Sequence, residues 1–317
     1  MLILPENDFW RERFQFNPIA RISRKFRILQ KVIMGNIQRT DYNASGNTNQ
    51  WVLDVNRDWM RRIPDHRRLA DISMPGTHNS CAGHGVDWAK CQSKCIIHQL
   101  RLGIRFLDIR CNNFTEGEHM YTGFGIFHGK FYQHISFGDV LRSINDFFAE
   151  QPGEAVIMRI RTAEHPGKPT PDDLAQRIFN IYRGQYPNLF YDGNVNAGGT
   201  TLGQVRGRIV VLQHIQLGNF TGWNECHVED EFEAIDKEKK ASIRRGFDHF
   251  ASNANNHLTI TFSSSCGIAP PYIYAREGLN RFVFDSVEAF KQQGRGVGIV
   301  AMDYPGDELI RDIINLN

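Results

Sequence analysis

The sequence predicts an α/β fold: a distorted or incomplete TIM (β/α)8 barrel with an N-terminal helical extension. Three observations predict it. From Trp51 onward, short apolar runs alternate with helix-like segments. Several of the runs are apolar at every position, which is typical of parallel strands covered on both faces. Reactive side chains stand at the ends of these runs, and in TIM barrels the carboxyl ends of the strands form the active face.

The candidate strands are seven short apolar runs between helix-like stretches such as 137–151 and 171–182. They are 69–78, 104–110, 126–129, 155–161, 208–214, 258–263 and 297–304. Strand and helix alternating over this length favour one α/β domain, and a barrel is the economical solution. We therefore predict a barrel over residues 51–317 and an extension over residues 1–50.

The extension contains a segment with strong helix signals, residues 18–34. Asn17 can cap it, Pro18 suits its first turn and Gly35 suits its end. Its apolar residues recur at spacings of three and four, and basic residues fill much of the rest. Such a helix either lies on an anionic membrane surface or packs on the barrel or a partner subunit.

The composition limits the classes of function. The chain has 317 residues, 41% of them hydrophobic, and a net charge of +2. A buried core is therefore expected, and nucleic acid is not indicated as a partner. No obligate protein partner is inferred.

The location of the protein is left open by the sequence. No run approaches the ~18 apolar residues of a membrane span. The start, MLILPENDFWRERF, has no evident signal peptide. The chain is then cytosolic, a mature form, or exported without such a signal, and a secreted or peripheral membrane location is favoured.

Six cysteines allow three interpretations: Cys81, Cys91, Cys95, Cys111, Cys226 and Cys266. Cys91 and Cys95 are spaced as zinc ligands can be, but no second pair completes a zinc set. A disulfide from Cys91 or Cys95 to Cys81 or Cys111 is a second interpretation. Free thiols in a reducing compartment are the favoured one.

Six polar side chains fall together on the predicted rim of the barrel. They are His78, Arg110, His128, Arg161, His214 and Asp303. Cleavage of a phosphodiester beside a hydroxyl needs a base, an acid and positive charge on the phosphate. His78 and His128 are candidates for base and acid because imidazole titrates near neutral pH. Asp303 could orient one imidazole, and Arg110 could hold the phosphate, with Arg161 as a second contact.

At this point the motifs become specific. The stretch WMRRIP…LADISMPGTHNS (59–80) resembles the opening of the bacterial-type phosphatidylinositol-specific phospholipase C X domain. LGIRFLDIRC (102–111) is similar to the second strand of that family, and FHGKFYQHISFGDVL (127–141) resembles its histidine-glycine element. Later strands match in order, so the resemblance covers about residues 51–317.

The resemblance implies roles for the rim residues. His78 matches the general base on the inositol 2-hydroxyl, and His128 matches the general acid for the diacylglycerol oxygen. Asp303 matches the carboxylate that supports the base. Arg110 matches a phosphate-binding arginine that stands where metal-dependent relatives place calcium. The resemblance thus implies an enzyme without a metal cofactor, with calcium as the alternative.

Further positions match substrate contacts or depart from the family pattern. Arg161 matches a family lysine near inositol, and Asp230 matches an aspartate that binds inositol hydroxyls. Asn79 stands where the family has an aspartate that assists the acid, so it either weakens that assistance or holds a phosphate oxygen. His214 replaces an inositol-binding arginine. Phe232 replaces a tyrosine that stacks on the sugar ring, and it keeps the stacking face.

A lipase must contact a membrane, and two loop residues are candidates for that contact. Trp88 follows the first strand, and Ile268 lies in SSSCGIAPPY (263–272). Either could enter the interface, while Trp88 could also be a loop-packing aromatic. Cys81, three residues after His78, is interpreted as structural.

We predict a phosphatidylinositol-specific phospholipase C that releases diacylglycerol and a cyclic inositol phosphate from membrane phospholipid. Two alternatives stay open. One is a catalytically weak, lipid-binding X-domain protein, suggested by the altered head-group contacts. The other is a metal-dependent barrel phosphodiesterase of the glycerophosphodiester or sphingomyelinase D kind, which a chelator would inhibit.

Overall fold

The computed structural model describes residues 56–114, 123–163, 170–195, 199–234, 236–252 and 257–317. The extension predicted over residues 1–50, with its helix at 18–34, lies outside the described residues. That helix and the domain boundary at residue 50 therefore stay predictions.

Among the described residues, ten strands form a single sheet. They are β1 (Met74–Thr77), β2 (Phe106–Phe114), β3 (Gly123–His128), β4 (Phe131–Ser136), β5 (Val156–Thr162), β6 (Ile209–Gln213), β7 (Thr221–Gly222), β8 (His227–Glu229), β9 (Thr259–Phe262) and β10 (Ile299–Met302).

Eight of these strands are parallel and follow the order β7-β6-β5-β2-β1-β10-β9-β8. Read around the sheet, this is chain order, as in a (β/α)8 barrel. The sheet is open between β7 and β8 in the described part of the chain. The predicted distorted or incomplete TIM barrel is confirmed.

In the described part of the chain, eight α-helices cover the sheet. They are α1 (Ile96–Leu102), α2 (Phe137–Glu150), α3 (Asp172–Gln185), α4 (Leu202–Val205), α5 (Lys237–Ala251), α6 (Pro271–Tyr274), α7 (Asn280–Gln292) and α8 (Asp307–Ile314). Side-chain capping fixes the start of some of these helices. At the start of α2, for example, Ser136 and Asp139 form a reciprocal capping box. None of the described helices is long and apolar enough to cross a bilayer.

Burial explains why the strands read as apolar runs. β1, β9 and β10 are buried at every position, and Phe106, Leu107 and Ile109 of β2 are at most 1% exposed. Core side chains lie on both faces of these strands, as parallel strands require. Each of the seven candidate runs overlaps a strand, with bounds that differ by up to five residues.

One part of the sheet differs from the expectation. β3 runs antiparallel to β2 and pairs with β4 in a hairpin, instead of joining the parallel series. β2 is long enough to extend beyond its neighbour β1. The hairpin therefore returns along that extension, with Ile126 opposite Cys111, and brings His128 back to the rim.

Candidate active site

The base and its carboxylate are placed by two neighbouring strands. His78 directly follows β1 and Asp303 directly follows β10, and Thr77 pairs with Met302. Nδ1 of His78 lies 2.9 Å from Oδ1 of Asp303, and the two side chains are 16% and 2% exposed. The predicted His–Asp pair is therefore formed, and it is largely shielded from water.

The chain turns tightly after β1 and after β10, and one side chain hydrogen-bonds to both strand ends. Asn79 and Tyr304, the residues that follow, both take left-handed backbone, with φ of 44° and 46°. Nε2 of Gln92 donates to the carbonyl of His78 at 2.8 Å and to the carbonyl of Met302 at 2.9 Å. Gln92 thus links the two strand ends that carry the base and its carboxylate, a role that the sequence did not indicate.

The other nitrogen of His78 is an acceptor. Nη2 of Arg110 lies 2.7 Å from Nε2 of His78, and Nδ2 of Asn79 lies 3.3 Å from it. A guanidinium has no acceptor, so it must donate. Nε2 therefore carries the lone pair, and the ring proton sits on Nδ1 facing Asp303. This is the tautomer that a general base requires.

Asp108 binds the arginines of the site, a functional role that the sequence analysis did not assign to it. Its Oδ2 accepts from Nη2 of Arg110 at 3.2 Å and from the backbone N–H of Asn79 at 3.1 Å, and its Oδ1 accepts from Nη1 of Arg159 at 3.4 Å. Burial opposes ionisation of this carboxyl. Arg110 and Arg159 outweigh the burial and hold the pKa of Asp108 well below its usual range.

Arg159 is the second residue that the sequence analysis missed. It is 3% exposed, its Nη2 lies 2.9 Å from Nδ1 of His214, and its guanidinium lies 4.0 Å over the Trp223 ring. Its Nε is buried without a hydrogen-bond partner in the described structure. Arg161, the residue that was predicted, lies half-buried opposite Arg110 on the same rim.

His128 reaches the site from the β3–β4 hairpin. Its Nδ1 donates to the carbonyl of Ala89 at 2.8 Å and lies 3.9 Å from Sγ of Cys91. Burial lowers the pKa of His128 to about 4, the Ala89 hydrogen bond partly offsets this, and Arg110 and His78 add to the lowering. The imidazole is therefore neutral near pH 7 in the absence of substrate.

The two imidazoles share one neighbour. Sγ of Cys91, 3.9 Å from His128, lies within 4.8 Å of the ligand atoms of His78 and Asp303. The predicted base and acid thus lie at one site. Asn79, predicted either to weaken the assistance to the acid or to hold a phosphate oxygen, directs its side-chain amide at His78 and Cys91, at 3.3 Å and 3.9 Å.

The predicted head-group residues surround this core. His214 follows β6 and binds Arg159. Asp230 follows β8 and interacts electrostatically with Arg110 and Arg159. The Phe232 side chain is 54% exposed. All three lie at the carboxyl ends of parallel strands, where the barrel fold places its active face.

The cysteines are free thiols. The disulfide interpretation is therefore not borne out in this structure. Cys91 is buried and Cys95 is exposed, so they do not converge as a zinc pair, and Cys95 lies 3.4 Å from Nδ1 of His98 instead. Burial raises the pKa of the Cys81 thiol far above its usual value, which fits the predicted structural role.

The loop candidates for membrane contact differ from each other. Trp88 lies in the 3₁₀ turn Asp87–Ala89 and is 56% exposed, next to Val86 at 54%. Ile268 is half-buried, and its backbone nitrogen donates to the Tyr274 hydroxyl at 3.1 Å. Trp88 is thus the better placed of the two predicted anchors.

The low pKa of His128 predicts a loss of stability in acid. The unfolded chain binds a proton at this residue near pH 6.5, but the folded chain does so near pH 4. Unfolding is therefore favoured as the pH falls from about 6.5 to 4, by up to about 3 kcal/mol. The free energy of unfolding in urea should drop less in His128→Gln over this range. Replacing the exposed His66 by glutamine should leave the drop unchanged, and an equal drop in both variants would contradict the assignment.

Comparisons with known proteins agree with this architecture. Residues 68–215 match the family model "Phosphatidylinositol-specific phospholipase C, X domain". A 1-phosphatidylinositol phosphodiesterase of Listeria monocytogenes is 27% identical over 282 residues, 82% of this chain and 85% of the relative. One from Staphylococcus aureus is 30% identical over 166 residues, 50% of this chain and 51% of the relative.

A solved structure of the Listeria monocytogenes phosphatidylinositol-specific phospholipase C superposes with a TM-score of 0.72 at 27% identity, covering 83% of this chain and 98% of that one. A Staphylococcus aureus structure, at 21% identity and a TM-score of 0.69, shares the fold. The fold and rim define an α/β-barrel of the phospholipase C kind. In sequence over residues 68–215 and in fold over most of its length, the chain is similar to bacterial phosphatidylinositol-specific phospholipases C.

Proposed function

We propose that this chain cleaves phosphatidylinositol-type lipids into diacylglycerol and a cyclic inositol phosphate, with His78 as base and His128 as acid. The observation that carries the proposal is the lone pair on Nε2 of His78, which faces the Arg110 guanidinium at 2.7 Å. A base and a phosphate-binding group are thus adjacent. The second imidazole, that of His128, lies at the same site, because Sγ of Cys91 is close to both rings.

The reaction follows from these positions. The phosphate of the lipid draws Arg110 away from Nε2 and binds its guanidinium. Nε2 of His78 takes the proton of the inositol 2-hydroxyl, whose oxygen attacks phosphorus, and Asp303 stabilises the imidazolium that forms. The bond from phosphorus to the glycerol oxygen breaks, and His128 supplies the proton to that oxygen.

The acid needs help from the substrate. Because the pKa of His128 is about 4 in the free protein, its protonated form is scarce near neutral pH. A phosphodiester anion beside it favours the imidazolium by direct attraction. Nε2 of His128 therefore gains a proton as the anionic substrate binds, while Nδ1 stays hydrogen-bonded to the Ala89 carbonyl.

We further propose that the reaction does not depend on calcium or another metal. Both carboxylate oxygens of Asp108 accept hydrogen bonds from arginines. Calcium binds carboxylate oxygens, and those of Asp108 are therefore not available to it. The positive charge of the Arg110 guanidinium stabilises the negative charge of the phosphate. Arg159, Arg161, His214, Asp230 and Phe232 are proposed to hold the inositol ring.

To test the proposal, the protein is incubated with mixed phospholipids, with and without chelator, and the products are identified by mass spectrometry. Cyclic inositol phosphate and diacylglycerol are expected in both conditions. Activity that disappears in chelator would favour the metal-dependent alternative. Vesicle binding without any product from a phosphodiester lipid would favour the lipid-binding alternative.

The substrate is a membrane lipid, so we propose that the protein acts at a membrane surface, in a secreted or peripheral state, with Trp88 in contact with the lipid.

Trp88→Ala should weaken binding to phosphatidylinositol-containing vesicles about tenfold, because the variant no longer transfers a large aromatic side chain from water to lipid. Sedimentation with vesicles measures this. Ile181→Ala, at a 48% exposed position on α3, is the matched control. Equal binding by both variants would exclude Trp88 as an anchor.

A further inference from the structure

Three metal-ligating side chains meet beneath the rim. The ligand atoms of His78, Cys91 and Asp303 lie within 4.8 Å of one another, and no other cluster of this kind occurs among the described residues. An imidazole nitrogen, a thiolate and a carboxylate oxygen form a donor set that suits Zn²⁺ and similar borderline-soft cations. The set differs from the Cys91 and Cys95 pair considered from the sequence.

A second observation points to a ligand at this cluster. Asp303 is 2% exposed, and its Oδ1 is used by His78, but its Oδ2 is buried without a hydrogen-bond partner in the described structure. An unpartnered buried carboxylate oxygen is costly. Oδ2 is therefore free to bind a cation that enters beside His78.

We propose that a borderline-soft divalent cation such as Zn²⁺ binds Nδ1 of His78, the carboxylate of Asp303 and Sγ of Cys91, and that its binding inhibits the enzyme. The cation takes the place of the proton between Nδ1 and Oδ1, which are 2.9 Å apart. Zinc bonds of about 2.0–2.2 Å at a tetrahedral angle place nitrogen and oxygen about 3.4 Å apart, so the two side chains separate by about 0.5 Å to admit the cation. Small movements of the thiol supply the third bond.

Binding of the cation changes the protonation of Cys91 and His78. The thiol S–H bond breaks, and its proton goes to solvent as Sγ binds the cation. The imidazole loses its proton from Nδ1 and, staying neutral, carries one on Nε2 instead. Two positive charges enter and one thiolate forms, so the site gains one unit of positive charge. Protonation of His78 during the proposed reaction adds the same charge, which Asp303 already stabilises.

Inhibition follows from the new tautomer. A protonated Nε2 cannot accept the proton of the substrate hydroxyl, so the base is lost. Arg110, whose Nη2 lies 2.7 Å from Nε2, then faces a donor and must move away. The metal therefore disables both the base and the resting position of the phosphate-binding arginine. The inhibition rests on the proposed function, but the binding does not.

The test reads binding separately from activity. Co²⁺ replaces Zn²⁺ as the probe, since thiolate ligation gives a charge-transfer band in the near ultraviolet. Cys95 and His98 form an exposed pair at 3.4 Å that could bind metal adventitiously, so all proteins carry Cys95→Ser. This background protein should bind one Co²⁺ with the band. Adding Cys91→Ala should abolish the band, and adding Asp303→Asn should weaken binding at least about tenfold.

Activity supplies the second arm. Zn²⁺ should inhibit the Cys95→Ser protein, a chelator should reverse this, and Cys91→Ala should raise the inhibition constant at least about tenfold. The metal site is overturned if the background protein shows no thiolate band, or if the band survives Cys91→Ala. If Cys91→Ala fails to fold, unchanged affinity in Asp303→Asn overturns the site instead. A band that depends on Cys91, in a protein without lipid-cleaving activity, would support the metal site and contradict the proposed function.

Discussion

Replacing His78 with alanine is expected to lower kcat/KM for phosphatidylinositol by about 10³-fold or more, in a protein that still folds. His78 presents the lone pair that faces Arg110, and its opposite nitrogen is held by Asp303 at 2.9 Å. Without the ring, the 2-hydroxyl has no base, and the charge on Asp303 has no partner. Initial rates on phosphatidylinositol vesicles, with a thermal melt of each protein, measure the effect.

The matched control for this variant is His66→Ala. His66 is an exposed histidine between the 3₁₀ turns Trp59–Arg62 and Leu69–Asp71, before β1 and away from the rim residues. It should keep the activity of the unmodified chain. Retention of nearly full turnover in His78→Ala would make the assignment of the base wrong.

Replacing Asp108 with asparagine is expected to lower kcat/KM by about 10²- to 10³-fold. The Asp108 carboxylate is fully buried and orients Arg110 and Arg159. The amide is neutral and has one acceptor oxygen in place of two. Arg110 then loses the partner that holds it toward the phosphate, and the half-buried guanidinium of Arg110 and the buried one of Arg159 repel each other. The free energy of unfolding should fall by about 3 kcal/mol for the same reason.

Asp248→Asn is the control for this variant, because the Asp248 carboxylate is 52% exposed and lies 3.7 Å from Arg295. It should change neither activity nor stability appreciably. Rates and urea unfolding of both variants are compared. Wild-type kcat/KM in Asp108→Asn would show that the arginines need no such anchor.

The sequence predicted the parts of the site that depend on strand ends. His78, Arg110 and Asp303 each stand at the end of an apolar run, and parallel strands bring those ends to one rim. Local periodicity suffices for this inference, because burial on both faces makes the strands apolar at most positions.

Other parts depend on contacts that local patterns do not encode. His128 lies on an antiparallel hairpin, and its partner, the Ala89 carbonyl, comes from a loop 39 residues earlier. Every residue has a backbone carbonyl, so the sequence does not indicate which one accepts this hydrogen bond. The role of Asn79 also depends on geometry, since its left-handed backbone directs the amide toward the base.

Asp108 and Arg159 carried a signal that could have been read. In β2, Asp108 and Arg110 are two residues apart, and in β5 the same holds for Arg159 and Arg161. Residues two apart share a strand face. Register pairs Asp108 with Arg159 and Arg110 with Arg161. Charged residues at alternate positions of otherwise apolar strands therefore indicate an ionic cluster inside the barrel.

The central claim, that His78 is the base and His128 the acid, is tested most directly by changing the leaving group. An inositol phosphodiester with a nitrophenol leaving group needs little protonation as the bond to phosphorus breaks. His128→Ala is expected to lose about 10²-fold or more in kcat/KM on phosphatidylinositol but less than about tenfold on the activated substrate. His78→Ala should be impaired equally on both. Equal losses by His128→Ala on the two substrates would contradict its assignment as the acid.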